Sequence, residues 1–205
     1  MLALDEQLRL LFEGLEARRL GDEALVILTS DHGEEFFEHG GFEHGHTMFN
    51  ELLRVPLIVW GPGVAAGREP APVSVADITP TVLDAVGIER PGTMFGLSLW
   101  PALTKRRTIG KRPLLAESTM YGPEQKSLIL WPHKLVVGPE EGRRALFDIE
   151  ADPGETRDLF RARPELAASL VEMLERLTAG RVPASHESKV SPELDEALRA
   201  LGYVQ

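Results

Sequence analysis

Four of the chain's six histidines, His32, His39, His44 and His46, fall within fifteen residues, and Asp31 stands directly before the first of them. They follow an apolar run, Ala24-Leu25-Val26-Ile27-Leu28. Imidazoles and a carboxylate gathered just beyond a buried strand are ligand types for a divalent metal. The rigid strand fixes the first pair while the following loop folds the others back. His44 and His46 flank Gly45, so extended backbone would turn both side chains the same way. Glu34, Glu35, Glu38 and Glu43 lie among the histidines, which makes a solvated acidic loop the competing reading.

The elements that must hold these residues follow from periodicity. Leu4, Leu8, Leu11 and Leu15 recur at helical spacing with Gly21 beyond them, which predicts an amphipathic helix over 3–19. A strand over 24–29 follows, then a Gly- and His-rich loop over 33–46. A short helix over 48–53 must end at Val55-Pro56, because the residue before proline is pushed out of the α region. A second strand, 57–60, runs into the turn Gly61-Pro62-Gly63. Strand, helix and strand in that order predict an α/β domain with a mostly parallel sheet, where ligands gather beyond the carboxyl ends of strands. Asp31 and His32 sit at one such end.

Further on, Asp77 or Thr79 is placed to cap a helix that carries Val82, Leu83 and Val86 and stops at Gly87. Residues 104–112 form a basic polar break, read as a seam between two halves or as a solvated loop within one domain. Beyond it, short apolar stretches at 114–117, 127–131, 134–137 and 145–149, separated by Gly/Pro turns, predict a small antiparallel sheet. Pro164 opens a helix with Leu166, Leu170, Leu174 and Leu177 on one face, and a last short helix is expected over 192–201. The organisation expected is an α/β core over 1–103, a sheet-and-helix subdomain over 104–182, and a linker with terminal helix over 183–205.

Composition bounds the partners. With 205 residues, 43% of them hydrophobic, the chain has material for a sizeable core. The formal net charge of −10 argues against nucleic acid, because phosphates are drawn to basic surface. A small anionic substrate needs only a locally positive pocket, such as one built on a metal ion. There is no cysteine, so disulfides and thiolate ligands are excluded. No apolar run approaches the roughly 20 residues of a membrane span, and Met1-Leu2-Ala3-Leu4-Asp5 has no secretory-signal pattern, so the chain as given is expected to be soluble.

The ordered runs Thr29-Ser30-Asp31-His32-Gly33-Glu34-Glu35, Glu38-His39-Gly40, His44-Gly45-His46-Thr47 and Glu51-Leu52-Leu53-Arg54-Val55-Pro56-Leu57-Ile58-Val59 resemble the sulfatases of the alkaline phosphatase superfamily. Asp77-Ile78-Thr79-Pro80-Thr81 resembles that family's helix after the second strand. Leu146-Phe147-Asp148-Ile149-Glu150-Ala151-Asp152-Pro153-Gly154-Glu155-Thr156 resembles its late strand-to-loop segment. The resemblance spans most of residues 1–180. It implies an alkaline-phosphatase-like sheet, present in part, followed by the small antiparallel sheet and its packed helix. Sulfatases carry a cysteine or serine nucleophile, converted to formylglycine, in an N-terminal region that nothing here matches. The expectation is therefore the C-terminal part of a longer enzyme, inactive alone and partnered by the missing N-terminal half.

By resemblance, Asp31 and His32 are the metal ligands and the cofactor is a divalent cation. Calcium leads, as in sulfatases, while zinc or manganese would serve phosphate-ester relatives. The implied substrate is a small anionic ester of sulfate or phosphate. His44 or His46 takes the catalytic role on the ester's anionic group, or completes a second metal site as in the phosphatase-like relatives, with no basis for choosing between them. His39 belongs to the family's Glu/Asp-His-Gly turn and orients the loop. His133 and His186 read as surface residues, and Arg54 as a structural ion pair at a helix end. The segment 118–124 and the Trp131-Pro132-His133 turn are candidates to line the cleft. Two alternatives stay beside the sulfatase reading: a phosphodiesterase, phosphatase or phospho-transferase of the same superfamily, and a non-catalytic fragment that binds metal or a partner.

Overall fold

The computed structural model describes residues 2–105, 107–117, 119–138 and 142–179. His186 and the helix expected over 192–201 lie outside the described residues. Helix α1 covers Leu2–Ala17 and leads into strand β1, Val26–Thr29. Of the predicted leucine stripe, Leu8 and Leu15 are half-buried, but Leu4 and Leu11 stay exposed. The anchor of α1 is Phe12, whose ring meets Trp60 edge-on at 5.9 Å.

After β1 the chain forms a two-residue hairpin, β2 (Glu35–Phe36) and β3 (Phe42–Glu43), then the one-turn helix α2 (Asn50–Leu53) and strand β4 (Leu57–Trp60). β1 and β4 pair antiparallel, Val26 opposite Trp60 and Thr29 opposite Leu57. This corrects the parallel pairing expected from the strand–helix–strand order. A parallel return needs a crossover that carries the chain back along the strand, and here the connection folds on itself beyond β1, the Gly33 N–H bonding to Leu52 O. The chain instead re-enters from the end at which it left.

A 3₁₀ turn, Val75–Asp77, precedes α3, Ile78–Ala85. Asp77 does not cap α3 through its side chain. It is fully buried and accepts backbone N–H bonds from Ser74 and Leu97, both at 2.8 Å, together with the guanidinium of Arg112. The basic break at 104–112 is thereby tied back to α3. Helix α4, Trp100–Lys105, lies between them.

The C-terminal sheet is antiparallel as predicted, in the order β5 (Leu114–Glu117), β6 (Lys126–Leu130), β7 (His133–Gly138) and β8 (Arg143–Asp148). Alternation divides its side chains between two cores. Leu128, Leu135 and Leu146 meet Ala167, Leu170 and Leu174 of helix α5, Pro164–Thr178. On the other face Val136, Ala145 and Phe147 meet Met48 and Phe49, which immediately precede α2. The sheet is thus clamped between α5 and the segment that follows the histidine loop. No helix among the described residues is long and apolar enough to cross a membrane.

Candidate metal centre

The site is built at the end of β1. Ser30 Oγ donates to His32 O at 2.6 Å, and the His32 N–H donates to Asp31 Oδ1 at 3.0 Å, so the chain turns sharply after Thr29. The Gly33 N–H then donates to Leu52 O at 2.9 Å, pinning this turn to α2. His32 Nδ1 lies 2.9 Å from Gly33 O. A carbonyl can only accept, so Nδ1 is the donor, and in the neutral ring the acceptor is Nε2. That nitrogen lies 3.8 Å from Asp31 Oδ1.

His44 comes to the same place from the far side of the hairpin. Its ring stacks on that of His32, centroids 4.0 Å apart and planes inclined by 24°. His44 Nδ1 is 2.7 Å from Glu34 Oε1, and the carboxylate must accept, which in the neutral ring again leaves Nε2 as the acceptor. A carboxylate on one ring nitrogen is the usual way of aiming the other at a metal. Ligand-type atoms of His32, Glu34 and His44 all lie within 4.8 Å of one another, and the donor set of imidazole and carboxylate fits a divalent cation.

Of the residues singled out in the sequence, Asp31, His32 and His44 share the lining of one cleft of about 1220 Å3, which continues past Arg54, Ser127 and Trp131. His46 is not part of this group. Its ring leans on Tyr121 at 5.4 Å, and its carbonyl accepts from Gln125 Nε2 at 3.4 Å. The alternation that would have paired His44 with His46 is broken because Glu43 and Gly45 both take left-handed backbone, at φ 69° and 83°. Tyr121 donates its N–H to Gly45 O at 2.9 Å, so the 119–125 segment docks on the histidine loop. Arg54 forms no ion pair among the described residues, contrary to expectation. It is exposed, and its backbone N–H closes α2 on Asn50 O. His133 opens β7 and is half-buried.

His39 sits inside the loop's support. It lies flat on Phe49, ring centroids 3.6 Å apart, with Nδ1 2.6 Å from Glu51 Oε1. Glu35, fully buried, accepts N–H bonds from His39 at 3.1 Å and Gly41 at 2.7 Å. Sequence reasoning missed both Glu34, as His44's partner, and Glu35, as the anchor of the loop. Four glutamates in one acidic stretch look alike until the hairpin register separates them.

The described elements, with this cleft at the end of β1, are those of an α/β protein of alkaline-phosphatase-like fold. A family model described as Sulfatase matches residues 1–88. The chain is 31% identical to arylsulfatase K of Danio rerio over 75% of its own length and 31% of that protein's. It is 36% identical to the choline-sulfatase of Rhizobium meliloti (strain 1021), over 76% of this chain and 31% of the relative. The solved structure of BT4656 in complex with its substrate, D-glucosamine-2-N,6-O-disulfate, superposes with a TM-score of 0.74 at 25% identity. That match covers 86% of this chain and 38% of that one. The chain belongs to the sulfatase family, and spans about a third of the length of these curated relatives.

Proposed function

We propose that this chain forms the cation-binding side of a catalytic centre that hydrolyses sulfate esters, and that it lacks the attacking group. The observation that carries this reading is the stacked His32–His44 pair, each ring held through Nδ1, beside Asp31 at the end of β1. Asp31 and His32 would hold a divalent cation, with His44 as a further ligand or as the group that meets the ester's anionic oxygens. His44 is preferred to His46 because it faces the cleft. When bound, such a cation draws charge from the ester oxygens as the sulfur–oxygen bond to the alcohol breaks. The protein's own part is to orient: Glu34 holds the His44 ring, and Gly33 O holds the tautomer of His32.

Two features bear on the metal and the reaction. The family resemblance favours calcium, which prefers oxygen ligands. The two imidazoles favour zinc or manganese, and with them a phosphate-ester substrate. No cysteine stands anywhere in the sequence and no serine falls in a nucleophile motif, which supports the reading that the attacking group is missing. The test is calorimetric titration of the purified chain with Ca2+, Mn2+ and Zn2+, together with assays on an aryl sulfate and an aryl phosphate. We expect one cation to bind, at least tenfold more weakly after Asp31→Asn or His44→Ala, and no turnover above background. Absence of binding by all three ions would reject the site. Turnover lost on Asp31→Asn would reject the claim that the attacking group is missing.

A further inference from the structure

A lysine with no role in the metal centre is wholly buried on the face of β7 that looks toward the histidine loop. Lys134 Nζ lies 2.7 Å from Glu155 Oε1 and donates to Asn50 Oδ1 at 3.2 Å. Glu155 Oε2 accepts the Asn50 N–H at 2.5 Å, and Asn50 Nδ2 donates to Pro153 O at 3.1 Å. The first residue of α2 is therefore held through backbone and side chain alike. Glu155 takes φ 52°, a left-handed conformation that a non-glycine residue keeps only where its surroundings hold it.

Helix α2 in turn holds both arms of the metal centre. Leu52 O accepts the Gly33 N–H, fixing the residue after His32. Glu51 Oε1 takes His39 Nδ1, fixing the loop that returns His44. We propose that Lys134 is a positioning residue: with Glu155 it locks Asn50, and through α2 it sets the spacing of His32 and His44. Stability alone does not call for a lysine here, because a buried ion pair is often matched or bettered by apolar residues of similar volume. What an apolar pair cannot supply is the donor to Asn50 Oδ1 and the acceptor for its N–H.

The proposal rests on the metal reading only for its functional consequence, and the experiment separates the two. In the double variant Lys134→Met/Glu155→Leu, which leaves no unpaired charge, amide hydrogen exchange at Gly33 and His39 should quicken at least tenfold. Amides of the β6–β7 ladder should keep their protection. Zn2+ affinity should fall at least tenfold in parallel. Unchanged exchange at Gly33 and His39 would overturn the proposal. If the double variant loses the β6–β7 protection, Asn50→Ala, which leaves the Lys134–Glu155 pair in place, carries the same exchange test with the same two outcomes. If none of Ca2+, Mn2+ and Zn2+ binds either protein, the metal reading fails, while the exchange rates still decide whether Lys134 positions the loop.

Discussion

Gly33 is the point at which the turn that carries His32 is most closely packed against α2. A Cβ built there would lie 1.9 Å from Glu51 O and 2.9 Å from Glu51 C, both backbone atoms. Contacts below 3.0 Å essentially never occur, so Gly33→Ala must drive α2 away by roughly 1 Å. Overpacking of this kind costs about 1–3 kcal/mol. Stretching the bond from Gly33 N–H to Leu52 O adds about 1 kcal/mol. With a urea m-value of about 2 kcal/mol/M, a total of about 2–4 kcal/mol lowers the unfolding midpoint by about 1–2 M. Gly40→Ala is the control. Gly40 has φ 91° but nothing within 4 Å of the added carbon, so it should pay backbone strain of about 1 kcal/mol and no more. Urea unfolding of the three proteins, followed by circular dichroism, orders them. If Gly33→Ala melts within about 0.3 M of the parent, or above Gly40→Ala, the close approach of β1's end to α2 is not what holds His32.

Leu170, 1% exposed on the face of α5 against the C-terminal sheet, should cost about 3 kcal/mol on truncation to alanine; a loss under about 1 kcal/mol in urea would mean that α5 is not part of the cooperative core. Burial pushes the Lys134 ammonium below the usual lysine range, although Glu155 and Glu51 pull the other way. The unfolded chain therefore holds more protons than the folded one between the two values, and this residue's contribution to stability must rise with pH across that window. Unfolding free energies of the parent and of Lys134→Met/Glu155→Leu, compared from pH 7 toward the ordinary lysine value of about 10.4, should diverge in the parent's favour; a constant difference contradicts the reasoning. Ile58, Trp60, Val86, Phe95 and Leu97 are 42–73% exposed, and β1 and β4 pair only with each other among the described residues. Purified chain should therefore bind an apolar dye and self-associate as its concentration rises. A dye-negative monomer at high concentration would show that these faces need no cover.

Much of the architecture was legible in the linear pattern. The apolar run before Asp31, the proline after Val55, the short stretches of the C-terminal sheet and the leucine face of α5 are local signals, and local signals decide helix and strand by period and by the chemistry of the breakers. Asp31, His32 and His44 were equally visible as candidates, because metal chemistry restricts which side chains can serve. What the sequence could not decide was spatial. Strand order suggested parallel pairing for β1 and β4, but direction depends on where the intervening chain travels, and the bond from Gly33 N–H to Leu52 O returns it to the end of β1. His44 and His46 were equivalent until two left-handed residues, Glu43 and Gly45, turned one into the cleft and the other onto Tyr121. Lys134 shares a face of β7 with Val136 and nothing in the linear pattern singled it out. It is buried because Glu155, distant in sequence, arrives with a carboxylate to pair it, and Asn50 brings an acceptor. Tertiary structure alone brings such partners together, since an ion is kept from water only where the fold supplies its countercharge and hydrogen bonds.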